Sequence, residues 1–500
     1  MSVKNNVISN YLGKGLIVIL SIIFIPIYIK YLGMESYGLI GIYTILVSMM
    51  MLVDIGMGQT IVREVARYTS GSLSLHNILD TIKTFQYIYL IIGLIASLCI
   101  YTLSSTIALK WLNIETLNPH DVIVSIQIMA IMVFIYWVSI LYRNSIIGLQ
   151  YQVWLNISDV IFAIISKVGV ILVLMYYSSS IIDFLLYQLL LSSLQLIVMK
   201  IKLNRILKDE GYTPVFSINV VYRLWKFTSG VALTTLFGTI LSQADKIILA
   251  SFLSLKSFGL YTIASVLGKS LGNIISPITL AIRPKLTILY EQNNEKELIE
   301  FYHKSAQLMS IMSIPIGLVL ILFSKEILWV WTNDMTIVND IWLIVSLLVC
   351  GTLLNGMMHV PYSLQLSSGW SSLSAKSNMV LFFMTTPILF LGIKTYGMLA
   401  APIIWLFINL IYVFVIISLM HKRLLKTEKW YWYKYDILYI LFVASLLGIV
   451  CRSFIEFNQE MNKMLLLSQI LIVYLIMVIG AVLSATKYKQ TFLSILKKGI

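Results

Sequence analysis

Leu16-Ile-Val-Ile-Leu-Ser-Ile-Ile-Phe-Ile-Pro-Ile-Tyr-Ile29 is followed at once by Lys30-Tyr-Leu-Gly-Met-Glu-Ser-Tyr-Gly-Leu39. No side chain from Leu16 to Ile29 is charged, and the second stretch is a short polar turn with two glycines that opens a new apolar run. A helix needs roughly 20 mostly apolar residues to cross a bilayer core, and residues 7–29 meet that length. Lys4 precedes the run, Lys14 interrupts it and no small-residue cleavage site follows, so it reads as an uncleaved anchor rather than a signal peptide.

Working outward, the same rule gives about fourteen spans. They are 7–29, 38–62, 84–108, 122–142, 152–176, 181–201, 227–251, 258–282, 305–324, 341–366, 377–393, 398–420, 436–455 and 464–485. The span over 377–393 has the least contrast with its surroundings. Composition agrees with a lipid-facing chain. Of 500 residues, 59% are hydrophobic and 12% charged, about half the charged share of a soluble domain. A mean hydropathy of +0.90 exceeds what one core can bury. The net charge of +14 would suggest nucleic acid in a soluble protein, but its placement along the chain explains it better, and no nucleic-acid partner is expected.

With the N-terminus inside, the cytoplasmic segments collect about 25 Lys and Arg and the outer segments about 7, as the positive-inside rule expects. Both termini are then cytoplasmic. Lys30-side turns are paired with a second one: Tyr31-Leu-Gly-Met-Glu-Ser-Tyr-Gly-Leu39 aligns with Phe252-Leu-Ser-Leu-Lys-Ser-Phe-Gly-Leu260, and Ile19-Leu-Ser21 aligns at the same offset with Ile240-Leu-Ser242. Six helices separate the copies, so both run the same way through the membrane, as parallel repeats do. The expected organisation is an N-terminal six-helix bundle over 1–210, a second over 211–425, and two further helices with a cytoplasmic tail over 426–500.

No Walker loop, dinucleotide fingerprint, metal-spaced histidine pair or GxSxG is present, and the outer connections are short, so catalysis is not expected. Cys99, Cys350 and Cys451 lie far apart and read as buried hydrophobes. Of His76, His120, His303, His359 and His421, only His359 falls inside an expected span. Prolines 26, 277, 315, 361 and 387 lie within spans as hinges or static kinks.

Charge at membrane depth is what stands out. Lys14, Asp54, Asp159, Lys167, Asp245, Lys246 and Lys269 fall within apolar spans, with Arg143 near an inner end. Each costs about 2.5–3.5 kcal/mol at the bilayer centre unless it faces protein or a wet cavity. Structural pairing is the alternative for each, and depth alone would allow Lys14 to meet Asp54. Thr262, Ser265, Lys269, Gly272 and Ser276 share one helical face with Asn273 beside it, which suits a cavity-lining helix. Matching stripes are Thr234, Gly238, Ser242 and Asp245 on the preceding helix, and Thr352, Asn355, His359 and Tyr362 further on. Small-residue helix packing is the plainer reading of the first two, though it does not need a lysine, and a hydrogen-bonded structural group is the plainer reading of His359.

Tyr11-Leu-Gly-Lys-Gly15, Tyr31-Leu-Gly33, Tyr37-Gly38, Asp54-Ile-Gly56 and Arg63-Glu64 together resemble the N-terminal signature of Wzx-type flippases. These form the polysaccharide-exporter branch of the superfamily that also holds MATE drug exporters and the lipid II flippase. The resemblance implies an all-α polytopic protein of the bacterial cytoplasmic (inner) membrane, with two parallel MATE-like six-helix bundles plus two C-terminal helices. It implies alternating-access translocation of an undecaprenyl-diphosphate-linked oligosaccharide repeat unit, as in O-antigen and lipopolysaccharide assembly. H+ or Na+ is the implied coupling ion, no other cofactor is expected, and a polysaccharide polymerase is a candidate partner. Substrate-binding positions would be Lys14, Lys167, Lys269, Arg143 and Asn273, with Asp54, Asp159, Asp245, Lys246 and His359 in ion coupling or ion pairs. A cation-coupled drug or metabolite antiporter is the competing reading, and an envelope scaffold a third that leaves the buried charges unexplained.

Overall fold

The computed structural model describes residues 3–54, 56–208 and 211–489, with side chains left out for 3–8, 11, 225–239, 241 and 242. Among the described residues the chain is helical throughout, and twelve stretches are long and apolar enough to cross a membrane. One of them, Ser372–Leu424, is interrupted at Gly397, and the 35-residue helix Ile218–Phe252 lies outside these twelve. The chain groups into two compact units, Met1–Gly259 and Leu260–Ile500.

The first unit opens with α1 (Val3–Leu32) and α2 (Met34–Val53). They are joined at Gly33, whose φ of 82° lies in the left-handed region that glycine enters without a Cβ penalty. The expected span over 38–62 ends early: α2 stops at Val53, Gly56 takes φ 77°, and α3 (Met57–Thr69) begins as a separate helix. Its apolar residues (Met57, Ile61, Val65) are buried while Arg63 is exposed, the pattern of a helix lying along a surface.

α4 (Leu75–Thr102), α5 (Pro119–Gly148), α6 (Gln152–Tyr176), α7 (Ile181–Ile206) and α8 (Ile218–Phe252) complete the unit. α5 packs on α4 and α7, and α1 on α6. α4 shows why the composition is so apolar. Ile91, Leu94, Ile95 and Leu98 recur at helical spacing and are each about 60% exposed, a face that only lipid can cover.

The second unit contains most of α9 (Leu255–Ser270), then α10 (Gly272–Glu291), α11 (Glu295–Leu322), the short α12 (Ser324–Thr332) and α13 (Met335–Ser367). The expected span over 258–282 is broken at Leu271, and Pro277 lies inside the helix that follows. Pro26, Pro315, Pro361 and Pro387 sit inside unbroken helices.

α14 (Ser372–Tyr396) follows, then α15 (Ala400–Ile411) and α16 (Ile417–Leu424), joined through a π-helical turn at Tyr412–Ile416. A second π-helical turn, Trp432–Leu438, leads into α17 (Tyr439–Arg452), and α18 (Lys463–Ser484) ends the described helices. α17 and α18 pack on each other and on α11. Arg452 donates to Glu326 at 2.5 Å and Lys463 to Asn333 at 2.6 Å, which ties one end of this pair to α12 and the turn after it.

Candidate functional site

The charged positions within the first unit do not behave alike. Arg143 on α5 meets Asp159 on α6 in a two-pronged pair, Nη1 to Oδ2 at 2.7 Å and Nη2 to Oδ1 at 2.8 Å. Gln195 on α7 donates to the same carboxylate at 2.9 Å. Three helices therefore converge on Asp159, whose side chain is 14% exposed against 36% for Arg143. A planar guanidinium matched to a carboxylate is the strong form of such a pair.

Asp54 caps the break between α2 and α3. It accepts from the Tyr89 hydroxyl at 2.7 Å and from the Gly58 amide at 3.2 Å, and Trp137 in turn donates to the Tyr89 carbonyl at 2.9 Å. Lys14 is exposed on α1 and forms no ion pair with Asp54 among the described residues, so the pair that depth alone allowed is replaced by a tyrosine. Lys167 is half-buried on α6, one position from Ser166, which donates to Gln188 at 2.7 Å. The helices carrying the two lysines, α1 and α6, meet along a polar seam. Asn10 donates to Gln152 at 2.7 Å and Asn156 to Asn10 at 2.6 Å, while a Cβ on Gly13 would sit 3.1 Å from that of Asn156.

Asp245 and Lys246 are both half-buried near the end of α8; Thr234, Gly238 and Ser242 of that stripe lie outside the described side chains. Lys269 is half-buried two residues before the break at Leu271. The break interrupts the expected single face: Thr262 and Ser265 are buried, whereas Asn273 and Ser276, beyond it, are exposed. The third stripe is a packing seam between α13 and α15. Thr352 accepts from Trp405 at 3.3 Å, Asn355 donates to Asn409 at 2.8 Å, and His359 is 3.3 Å from Asn355.

Several key groups escaped the sequence reading. Glu35, buried inside the repeated turn, accepts from the backbone amides of Glu115 at 2.7 Å, Thr116 at 2.8 Å and Leu117 at 3.2 Å, and from the Thr116 hydroxyl. Its place in the aligned turn was the available signal. Glu64 is fully buried, with Arg67 at 3.1 Å and Arg223 at 3.8 Å. Asp80 on α4 fixes the connection between α7 and α8 by accepting from the Tyr212 hydroxyl at 2.6 Å and the Val215 amide at 2.8 Å. The Asp80 bond pushes the Tyr212 phenol up. His303 and His421 are both inside helices and almost fully buried, although only His359 was expected within a span.

Residues 3–290 match the model of a family described as "Polysaccharide biosynthesis protein". A Shigella flexneri protein carrying the name O-antigen transporter is 21% identical over 413 residues, 81% of this chain and 94% of that protein. Among solved structures, the lipid II flippase MurJ in an inward closed conformation is similar at a TM-score of 0.72 and 14% identity, covering 95% of this chain and 98% of that one. An inward-facing MATE-family multidrug transporter of the MOP superfamily is similar at a TM-score of 0.63 and 14% identity, over 82% and 96%.

Proposed function

From a chain that belongs to the polysaccharide biosynthesis protein family, and whose helices make it a multi-pass membrane protein, we infer a flippase for a lipid-linked oligosaccharide. Its substrate in this reading is an undecaprenyl-diphosphate-linked repeat unit, moved from the inner to the outer leaflet by alternating access. The similar O-antigen transporter and lipid II flippase support that substrate class.

One observation favours an anionic cargo over the cationic drug of an antiporter. Among the described residues ahead of α8, once Arg143 and Asp159 neutralise each other, the span-depth charges left without an ion pair are Lys14 and Lys167 against Asp54. Two lysines against one carboxylate suit a diphosphate, whose charge a lysine offsets at short range. Lys269 and Asn273, on either side of the Leu271 break, are the substrate-binding candidates within the second unit. Asp54 is then the carboxylate available to a coupling H+ or Na+, with Asp245, Lys246 and His359 as further candidates. The charge asymmetry supports placement in the bacterial cytoplasmic membrane with both termini inside, where a polysaccharide polymerase would receive the product. The chemistry asked of these residues is binding and release, so the protein is read as a transporter and not an enzyme.

Surface polysaccharide and membrane abundance are measured together for Lys14→Ala, Lys167→Ala, Lys269→Ala and Lys269→Arg in a deletion background. The alanine variants should reach near-normal abundance with export lost, and Lys269→Arg should keep part of the activity because charge survives. Lipid-linked glycan should accumulate in the deletion strain. Normal export from fully expressed alanine variants would remove the lysines from the substrate path, and an unchanged lipid-linked pool would remove the flippase reading itself.

A further inference from the structure

A buried ionisable cluster in the second unit centres on His303. His303 on α11 is 2% exposed and places Nδ1 2.5 Å from Asp436 Oδ2 and Nε2 3.0 Å from Glu428 Oε2. Asp436, fully buried, projects from the π-helical turn that leads into α17, and such turns often mark functional positions. Gln307, one turn beyond His303 on α11, donates to Asp436 Oδ1 and to Thr486 Oγ1, both at 2.9 Å, and accepts from the Lys487 amide at 2.8 Å. One face of α11 thus holds the start of α17 and the residues just after α18.

Hydrogen-bond bookkeeping assigns the protons. An ionised carboxylate only accepts, so with both carboxylates ionised the imidazole between them donates from both ring nitrogens, and the cluster carries one proton more than a neutral His303 would supply. The neighbouring histidine shows the opposite state. His421 Nδ1 is 3.0 Å from the Ile417 carbonyl and must donate to it, which leaves Nε2 to accept from the Tyr302 hydroxyl at 3.0 Å. His421 is neutral. Burial acts to raise the Glu428 carboxyl, but hydrogen bonds from Thr427 and His303 together with the charge of His303 outweigh it and hold the group below the usual carboxylate range. The other groups facing the cluster are the Tyr431 ring, 4.5 Å from the His303 ring, Tyr433 from the π-helical turn, Lys429 and Lys487. Among the described residues no group of three or more His, Cys, Asp or Glu side chains is arranged to hold a metal ion, and both His303 nitrogens are already occupied.

We infer that His303, Asp436 and Glu428 form a proton-binding site whose occupied form clamps the C-terminal helix pair, α17 and α18, onto α11. With the proton bound, one cation bridges two carboxylates. Without it, one ring nitrogen presents a lone pair to a carboxylate at hydrogen-bond distance, which is repulsive. The clamp is therefore complete at lower pH and weakens as pH rises through the titration of the site.

The test uses the full chain in lipid nanodiscs, labelled with 15N-histidine. Near neutral pH one histidine should show two protonated ring nitrogens, and that signal should vanish in His303→Gln. A second should show a single Nδ1 proton and vanish in His421→Gln. Amide exchange across 429–452, corrected for intrinsic rates, should rise by about tenfold between about pH 6 and about pH 9 in the parent chain. In His303→Gln it should be high and flat. Should that variant not accumulate, Glu428→Gln removes the more accessible carboxylate and should move the exchange transition to lower pH. A neutral His303 near pH 6, an exchange profile without pH dependence, or a Glu428→Gln profile identical to the parent would each overturn the proposal.

Discussion

Gly38 and Gly259 occupy equivalent places in the two aligned turns, and each lies against the backbone that precedes the other. A Cβ on Gly38 would collide with the Leu255 carbonyl oxygen, and one on Gly259 would stand 2.6 Å from the Met34 carbonyl oxygen. Met34 and Leu255 are themselves equivalent in the alignment, so the contact is reciprocal. Such an approach of two helices needs residues without a Cβ at the crossing. It also puts both copies of the turn at the same end of the first unit, as parallel repeats require. The loop over 113–117 joins them there: the Asn113 side chain donates to the Leu253 carbonyl at 3.2 Å, its carbonyl accepts from the Leu255 amide at 2.9 Å, and Glu35 accepts from the amides of 115–117.

A methyl group at either glycine must push backbone, which cannot rotate away as a side chain can. Gly38→Ala and Gly259→Ala should each destabilise the protein by about 1–3 kcal/mol. Gly15 is also helical but has nothing within 4 Å of its would-be Cβ. Gly15→Ala should be neutral or stabilising by up to about 1 kcal/mol, since alanine is the better helix former. Thermal unfolding of the three variants in one detergent decides it; equal midpoints would contradict the crossing.

The Arg143–Asp159 pair should be worth more to folding than to transport. Asp159→Ala strands a guanidinium and Arg143→Ala a buried carboxylate, and losing one partner of such a pair costs about 3–5 kcal/mol. Arg143 is partly exposed, so the lower end of that range applies to it. Membrane abundance should fall in both single variants and recover in part when the two residues are exchanged. Full abundance of Asp159→Ala with export abolished would instead make the pair part of the substrate path.

Glu35 is expected to order the loop over 113–117. Glu35→Ala removes charge-assisted bonds to three backbone amides, each net about 1.5–3 kcal/mol at most and not additive. The loop should become open to protease in proteoliposomes while the rest of the chain stays intact. Glu35→Gln keeps acceptance by one oxygen and should fall between. Unchanged cleavage in Glu35→Ala would refute the role.

Topology gives a separate check. Cysteines placed at Ser72, Lys208 and Thr427 should resist a membrane-impermeant thiol reagent in intact cells and react after permeabilisation. A cysteine at Asn458, in the turn between α17 and α18, should react in intact cells. Reversed results would invert the orientation drawn from lysine and arginine placement.

What the sequence determined by itself was the class and most of the apolar spans, because these follow from local chemistry. An apolar run of spanning length must be helical in lipid whatever it packs against, and the two turns could be aligned letter by letter. Gly33, Gly38 and Gly56 in the signature each proved to have a backbone reason, two as positive-φ turns and one as a close crossing. Only the tertiary structure decided which charges meet. Depth along a helix places Lys14 beside Asp54, but azimuth about the helix axis is set by packing, and packing gave Asp54 to Tyr89 and Asp159 to Arg143. The break at Leu271 was likewise invisible to a periodic count. His303 and Asp436 lie 133 positions apart, so no spacing rule could join them. Two polar groups buried in an apolar fold must find each other, and where they do so depends on every helix between.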